Sequence, residues 1–219
     1  MRAVYSRSTG SQEMLNPHAR CWEKPLMVEL DMAETPLSMQ PTDAIRAQWK
    51  NRTHGVVKKL RFTAMHNGTI IGFRLDWDDP HENREIRDND QFADGAAVML
   101  PAVPDAPIIL MGQKGQPVNA WYWRADEGVT GRNISAQGYG STRTIDRNSV
   151  VCSHDWHDGV WTVVITRHLR LDTKEPVAQL NPGDRMPYGV AVWEGGNQER
   201  AGIKSFTLSR EDLFVDPIV

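Results

Sequence analysis

From about residue 54 the apolar and polar positions alternate with the period of two that puts successive side chains on opposite faces of a strand. The pattern is clearest from Leu60 to Trp77, where it is interrupted by Asn67-Gly68, a dipeptide that accepts positive φ and closes a two-residue hairpin. Pairing His66 with Thr69 predicts Ala64 opposite Ile71, Phe62 opposite Phe73 and Leu60 opposite Leu75, an apolar face. On the other face Lys59 meets Asp76, while Arg61 opposite Arg74 is a like-charge pair that weakens the match. Further strands are predicted at Gly95 to Leu100, Ile108 to Met111, Asn119 to Arg124, Ser149 to Trp156, Val160 to Leu169, Tyr188 to Trp193 and Ser205 to Leu208. Asp158-Gly159 marks a second hairpin, after which Trp161, Val163 and Ile165 share one face.

Short strands with frequent turns indicate an all-β chain, an antiparallel β-sandwich with few helices. Thr42 to Trp49 is the one modest helical candidate, opened by a Thr or Asp cap. Residues 1–53, with Pro17, Pro25, Pro36 and Pro41, read as an extended N-terminal arm that contributes an edge strand at Leu26 to Leu30. Residues 54–219 then form the sandwich, and the whole is expected to be a single domain.

Composition narrows the chemistry. Across 219 residues, 25 Lys and Arg stand against 28 Asp and Glu, a net charge of −3 without the basic footprint that nucleic acid or an anionic membrane requires. Apolar runs such as Ala96 to Leu100 and Pro107 to Met111 are far shorter than the roughly 20 residues of a membrane span. Two cysteines, Cys21 and Cys152, are too few for a cysteine-ligated iron–sulfur cluster, and no C-x-x-C-H attaches a haem covalently. The opening residues Met1 to Arg7 lack an apolar signal core, so the expectation is a cytoplasmic protein or one exported with a partner.

Candidate sites weigh against plainer readings. His154-Asp155-Trp156-His157-Asp158 gathers metal-binding side chains, but residues three apart on a strand face opposite ways. The stretch Asp76 to Asp94 carries eight acids, among them Asp79, Asp88 and Asp94, yet it includes Arg84 and Arg87 and lacks an EF-hand spacing; a solvated loop with local ion pairs is the favoured reading over a cation site. Gly112 to Gly115 is too short for a phosphate-binding loop. Two segments hold more: Met111-Gly112 followed by Pro117 to Trp123, in which Trp121 and Trp123 share a face, and Trp193 to Glu199 leading to Lys204-Ser205. Taken alone, Met111 and the tryptophans read as core and Lys204 as a surface lysine.

Together with His54 to Leu60, His66 to Thr69 and Arg74 to Trp77, these runs resemble the γ subunit of ethylbenzene dehydrogenase and related DMSO-reductase-type molybdenum oxidoreductases. The resemblance extends from about residue 54 to the C-terminus, and the fold expected is a sandwich of immunoglobulin or DOMON-like type. It implies a non-covalent haem b held by a methionine thioether, at Met111, and a lysine amine, at Lys204, with Asn119, Trp121 and Trp193 as candidate pocket lining. A thioether favours ferrous iron, and a lysine binds metal only once its proton is lost, which iron and burial must favour together. With both axial positions taken by protein, the implied role is electron transfer rather than catalysis. It further implies a catalytic α subunit with a molybdopterin-type cofactor, a β subunit with iron–sulfur clusters, an external acceptor such as cytochrome c, and a periplasmic location reached by co-export. Pro117 to Trp123 and Gly195-Gly196-Asn197 look closer to the branch that hydroxylates hydrocarbon or steroid C–H bonds than to selenate, chlorate or dimethyl sulfide complexes. The rival from another class is a carbohydrate-binding module, since sandwiches with exposed tryptophans stack on sugars.

Overall fold

A computed structural model describes residues 1–86, 90–207 and 212–218. In chain order its strands are β1 (Arg2–Tyr5), β2 (Val28–Glu34), β3 (Lys59–His66), β4 (Ile70–Asp78), β5 (Gly95–Pro101), β6 (Val118–Arg124), β7 (Arg132–Ala136), β8 (Arg143–Asp146), β9 (Val150–His157), β10 (Val160–His168), β11 (Arg185–Pro187), β12 (Gly189–Trp193), β13 (Ser205–Thr207) and β14 (Asp212–Val215). The helices are α1 (Ser11–Leu15) and α2 (Asp43–Trp49), with short 3-10 turns besides. One sheet runs β11-β14-β1-β3-β4-β10-β9 and the other β13-β12-β5-β6-β7-β8. Strand β2 joins them: Val28 to Asp31 pair with β3, and Met32 to Glu34 pair with β13.

The alternation read from the sequence is what packs the two sheets together. Leu60, Phe62, Ala64, Ile71, Phe73, Leu75, Trp77, Trp161, Val163 and Ile165 of the first sheet are all 0% exposed. They meet Ala96, Val98, Trp121, Trp123 and Val192 of the second in one cluster. Aromatic rings form its centre, with Trp123 and Trp161 centroids 5.1 Å apart edge to face and Phe73 and Trp121 5.4 Å apart. Each such side chain contributes about 1.5–3 kcal/mol through burial alone.

Several expectations need correcting. The first hairpin pairs His66 with Ile71, Ala64 with Phe73 and Phe62 with Leu75, a slip of two from the expected register. Gly68 (φ +91°) opens the turn, and the Asn67 side chain accepts from the Thr69 and Ile70 amides, so Asn67 belongs to the strand end. A slip of two keeps every side chain on its face, and it sets Arg61 opposite Asp76, which removes the like-charge pair. Asp158-Gly159 closes the second hairpin as expected, with φ of 48° and 77°. Ile108–Leu110 is a 3-10 turn, not a strand, because Pro107 starts it and the Met111 amide bonds back to Ile108. Leu208, the expected end of the last strand, and Arg87 and Asp88 of the acidic stretch lie outside the described residues.

The first fifty residues are woven into the sheets. Strand β1 inserts in parallel between β14 and β3, and β2 lies between two partners instead of on an edge. Between them Met14, Cys21 and Trp22 cover the outer face of the first sheet at Met65 and Val164. Gly72 makes this approach possible, since a Cβ there would stand 2.8 Å from the Met14 sulfur. Helix α2 is capped by Thr42, whose hydroxyl accepts from the Ile45 amide. Cys21 and Cys152 are buried free thiols. Among the described residues no helix is long and apolar enough to cross a membrane.

Candidate functional site

The outer face of the second sheet carries the site. In β5, β6 and β12 the register leaves Gly189, Ala191, Ala97 and Ala120 on the side away from the core, flanked by Met99, Tyr122 and Trp193. The result is a floor of small side chains bounded by larger ones. Residues 102–117 fold over it, and the Ile108 turn sits so close that a Cβ on Gly189 would meet the Ile108 side chain at 2.8 Å. Tyr139 pins this cover by donating its hydroxyl hydrogen to the Ile109 carbonyl at 2.6 Å.

Met111 caps the 3-10 turn in a left-handed conformation, φ 56° and ψ 39°. A side chain beyond glycine pays about 1 kcal/mol or more for that backbone, so the turn is held by its surroundings. The Gly138 amide donates to the Met111 carbonyl at 2.9 Å. Gly112 (φ +83°) follows, where a Cβ would lie 2.7 Å from the Ala136 oxygen.

Lys204 enters from the opposite side, just before β13. Its carbonyl accepts from both the amide and the hydroxyl of Thr35, each at 3.1 Å. Its side chain runs inward, 6% exposed overall, and Nζ stands 3.7 Å from the Met111 sulfur, 3.5 Å from the Ala201 oxygen and 5.2 Å from the centre of the Trp193 ring. Among the described residues no carboxylate pairs with it. Desolvation therefore lowers its pKa to about 8. A thioether, one long contact to a carbonyl and an indole face solvate an ammonium poorly.

Two cavities open from this pair. One of about 60 Å³ extends towards β12 and β13 past Ile109 and Phe206. The other, of about 290 Å³, extends across β6 and β7 to Ile45, Arg132 and Thr142. Met111, Lys204, Trp193, Tyr139, Ala97 and Ala120 line both. The strip crosses five strands, about 19 Å at the usual strand spacing.

Were a metal bound here, Met111 Sδ and Lys204 Nζ, once deprotonated, are the two side-chain donors that would hold it. Sulfur and an unprotonated amine suit iron, and the apolar floor suits a planar macrocycle.

Of the other expected lining residues, Trp193 faces the pocket, whereas Asn119 and Trp121 require correction. They lie on the inner face of β6, 0% exposed, and line neither cavity. Asn119 is fully occupied in the core: its amide donates to Asn133 and the Ile134 carbonyl, and its oxygen accepts from Trp121 Nε1, Arg167 and the Ala178 amide. The pocket-facing residues of that strand are Ala120 and Tyr122, one position out of phase. Thr35, Ile45 and Tyr139 gave no sign in the sequence, because they arrive from the arm and from a loop that no motif links to Met111. In the His154 to Asp158 run, His154 packs on Trp123 and Trp161 while His157 is exposed, so the imidazoles diverge.

The profile of the ethylbenzene dehydrogenase family matches residues 19–149 and 141–205. A Haloferax mediterranei protein provisionally named as a respiratory nitrate reductase haem subunit is 33% identical over 190 residues, covering 86% of this chain and 64% of that protein. The chlorate reductase γ subunit of Ideonella dechloratans is 36% identical over 152 residues, covering 69% of this chain and 62% of its own. The chain thus spans less than two thirds of the length of either relative. Among solved structures, a family 9 carbohydrate-binding module from Caldicellulosiruptor kristjanssonii in complex with glucose aligns over 100% of this chain and 96% of its own with a TM-score of 0.56 and 8% identity, a likeness of fold.

Proposed function

The chain belongs to the ethylbenzene dehydrogenase family, and from that premise we propose that it is a haem b electron-transfer subunit of γ type, itself non-catalytic, in a molybdenum oxidoreductase complex. The observation that carries the reading is the 3.7 Å approach of Lys204 Nζ to Met111 Sδ in an apolar pocket free of carboxylates. When bound, a haem supplies a one-electron redox centre. The protein supplies the rest. Met111 and Lys204 would hold the iron, and burial lowers the pKa of the amine to about 8, which eases the loss of the proton that metal binding requires. Ala97, Ala120 and Ala191 would leave room for a macrocycle, and Ile109, Met99 and Tyr139 would shield it from water.

The partners in this reading are a molybdenum-bearing α subunit and an iron–sulfur β subunit, with a soluble acceptor such as cytochrome c, in the periplasm. Hydroxylation of a hydrocarbon or steroid C–H bond is the finer proposal for the complex. Sugar stacking has less support, since none of the tryptophans is exposed and Trp193 is turned to Lys204.

Ligand variants test the assignment. Met111→Ala and Lys204→Ala should each weaken haem retention at least tenfold or convert a low-spin spectrum to high-spin. A wild-type low-spin spectrum in both would exclude the pair. Lys58, Lys114 and His66, other side chains able to ligate iron, line neither cavity.

A further inference from the structure

A second cluster lies just beyond the C-terminal end of β12, next to Trp193. Asp79 follows β4, Asp94 precedes β5 and Glu194 follows β12, and each offers a carboxylate oxygen within 4.8 Å of the others. Asp79 is 1% exposed, Asp94 0%, and Glu194 is half-buried. Among the described residues no cationic side chain forms an ion pair with any of the three.

Two of these carboxylates are occupied by donors. Asp94 accepts from the Gly195 amide at 2.8 Å through one oxygen, and from the Asn83 amide at 2.8 Å and Trp161 Nε1 at 2.9 Å through the other. Glu194 accepts from the Gly196 and Asn197 amides at 3.0 and 2.6 Å. Asp79 differs. One of its oxygens accepts from the His81 amide at 3.1 Å, but Oδ2, fully buried, has no hydrogen-bond partner. Burial raises the pKa of Asp79, and the His81 amide and then the Trp77 indole N–H, which interacts with this carboxylate without closing to hydrogen-bond distance, oppose the rise. The Asp79 charge is felt by both neighbours: desolvation first, and then Asp79, raise the pKa of Asp94 to about 7 and that of Glu194 in the same direction.

Three carboxylates this close, two of them out of water, are relieved by a shared proton or by a cation between them. We propose that Asp79, Asp94 and Glu194 bind a hard divalent cation, calcium, with Asp79 Oδ2 as the unfilled ligand. All-oxygen donors of this kind suit a hard cation, and calcium tolerates the irregular geometry of ligands from three separate strand ends. The cation clips the 79–94 connection to the turn after Trp193. Gly195 fits the same purpose, since a Cβ there would lie 2.1 Å from the Phe92 oxygen and force the turn away from Asp94.

Terbium provides the test, because Trp161 donates directly to Asp94 and can sensitise a lanthanide bound beside it. With the full chain, excitation of tryptophan should give terbium emission that calcium displaces. Saturating calcium should raise the melting temperature by about 5 °C or more over EDTA. Both effects should vanish in Glu194→Gln, whose half-buried position spares the core, and in Asp79→Asn. Absence of sensitised emission, or equal melting temperatures in calcium and EDTA together with a higher one in Asp79→Asn, would overturn the proposal in favour of carboxylates sharing a proton.

Discussion

Met111 and Lys204 are each unfavourable to the fold taken alone. Met111 holds a left-handed backbone, and Lys204 buries an amine without a carboxylate. Replacement can therefore separate ligand from scaffold. Lys204→Leu removes the buried ammonium and supplies no other donor, so the haem-free chain should melt at a higher temperature while low-spin haem binding is lost. Met111→Leu should leave the stability of the haem-free chain within about 1.5 kcal/mol and still abolish the thioether ligand, read by the loss of a low-spin spectrum. Neither residue stood out by pattern. A methionine after Ile-Ile-Leu reads as core and a lysine before a strand reads as surface, and only the resemblance of the ordered motifs singled them out. Pocket lining went astray by parity, since Asn119 and Trp121 are chemically richer than Ala120 and Tyr122 but face the core.

At the scale of elements, the segment from β2 to α2 sets Lys204 in place. Thr35 donates twice to its carbonyl, and Gln40 donates to the Gly202 carbonyl at 2.9 Å. Thr35→Val removes one of those bonds and should cost about 1 kcal/mol, with weaker haem retention but the same axial ligands by spectrum. Gly202→Ala should do more, since its Cβ would stand 2.1 Å from Gln40 Oε1. The sandwich itself was legible: period-two alternation located β3 to β6, β9, β10 and β12, and helix α2 with its Thr42 cap. Other strands were not. Strand β7 carries Arg132, Asn133 and Ser135, and the buried Asn133 donates its amide to Asp146 of β8 and to Ser149 in the loop after it while its oxygen accepts from Asn119. Strands β1 and β14 pair in parallel across the length of the chain, which local alternation does not reveal. The cation cluster joins residues up to 115 positions apart, beyond the reach of any spacing rule.

For the whole molecule, the two faces of the sandwich have separate tasks. The first sheet is covered by the arm, and the second carries the pocket on its outer side. Electrostatics at the pocket's margin give a pH signature. Glu127 is held at a pKa of about 2, below its usual 4.5, first by its hydrogen bond to Arg132 and then by Arg147 and Arg124. A carboxylate lowered in the folded state stabilises it above pH 4.5 and loses that contribution as pH falls from 4.5 towards 2. Denaturation midpoints should therefore fall over that interval, and Glu127→Gln should flatten the fall. The central claim, that this chain holds haem b between a thioether and an amine, is tested most directly by the absorption spectrum of the chain produced with haem and with its complex partners. A strong haem band that sharpens on dithionite reduction and remains low-spin is predicted; a colourless protein would contradict the account.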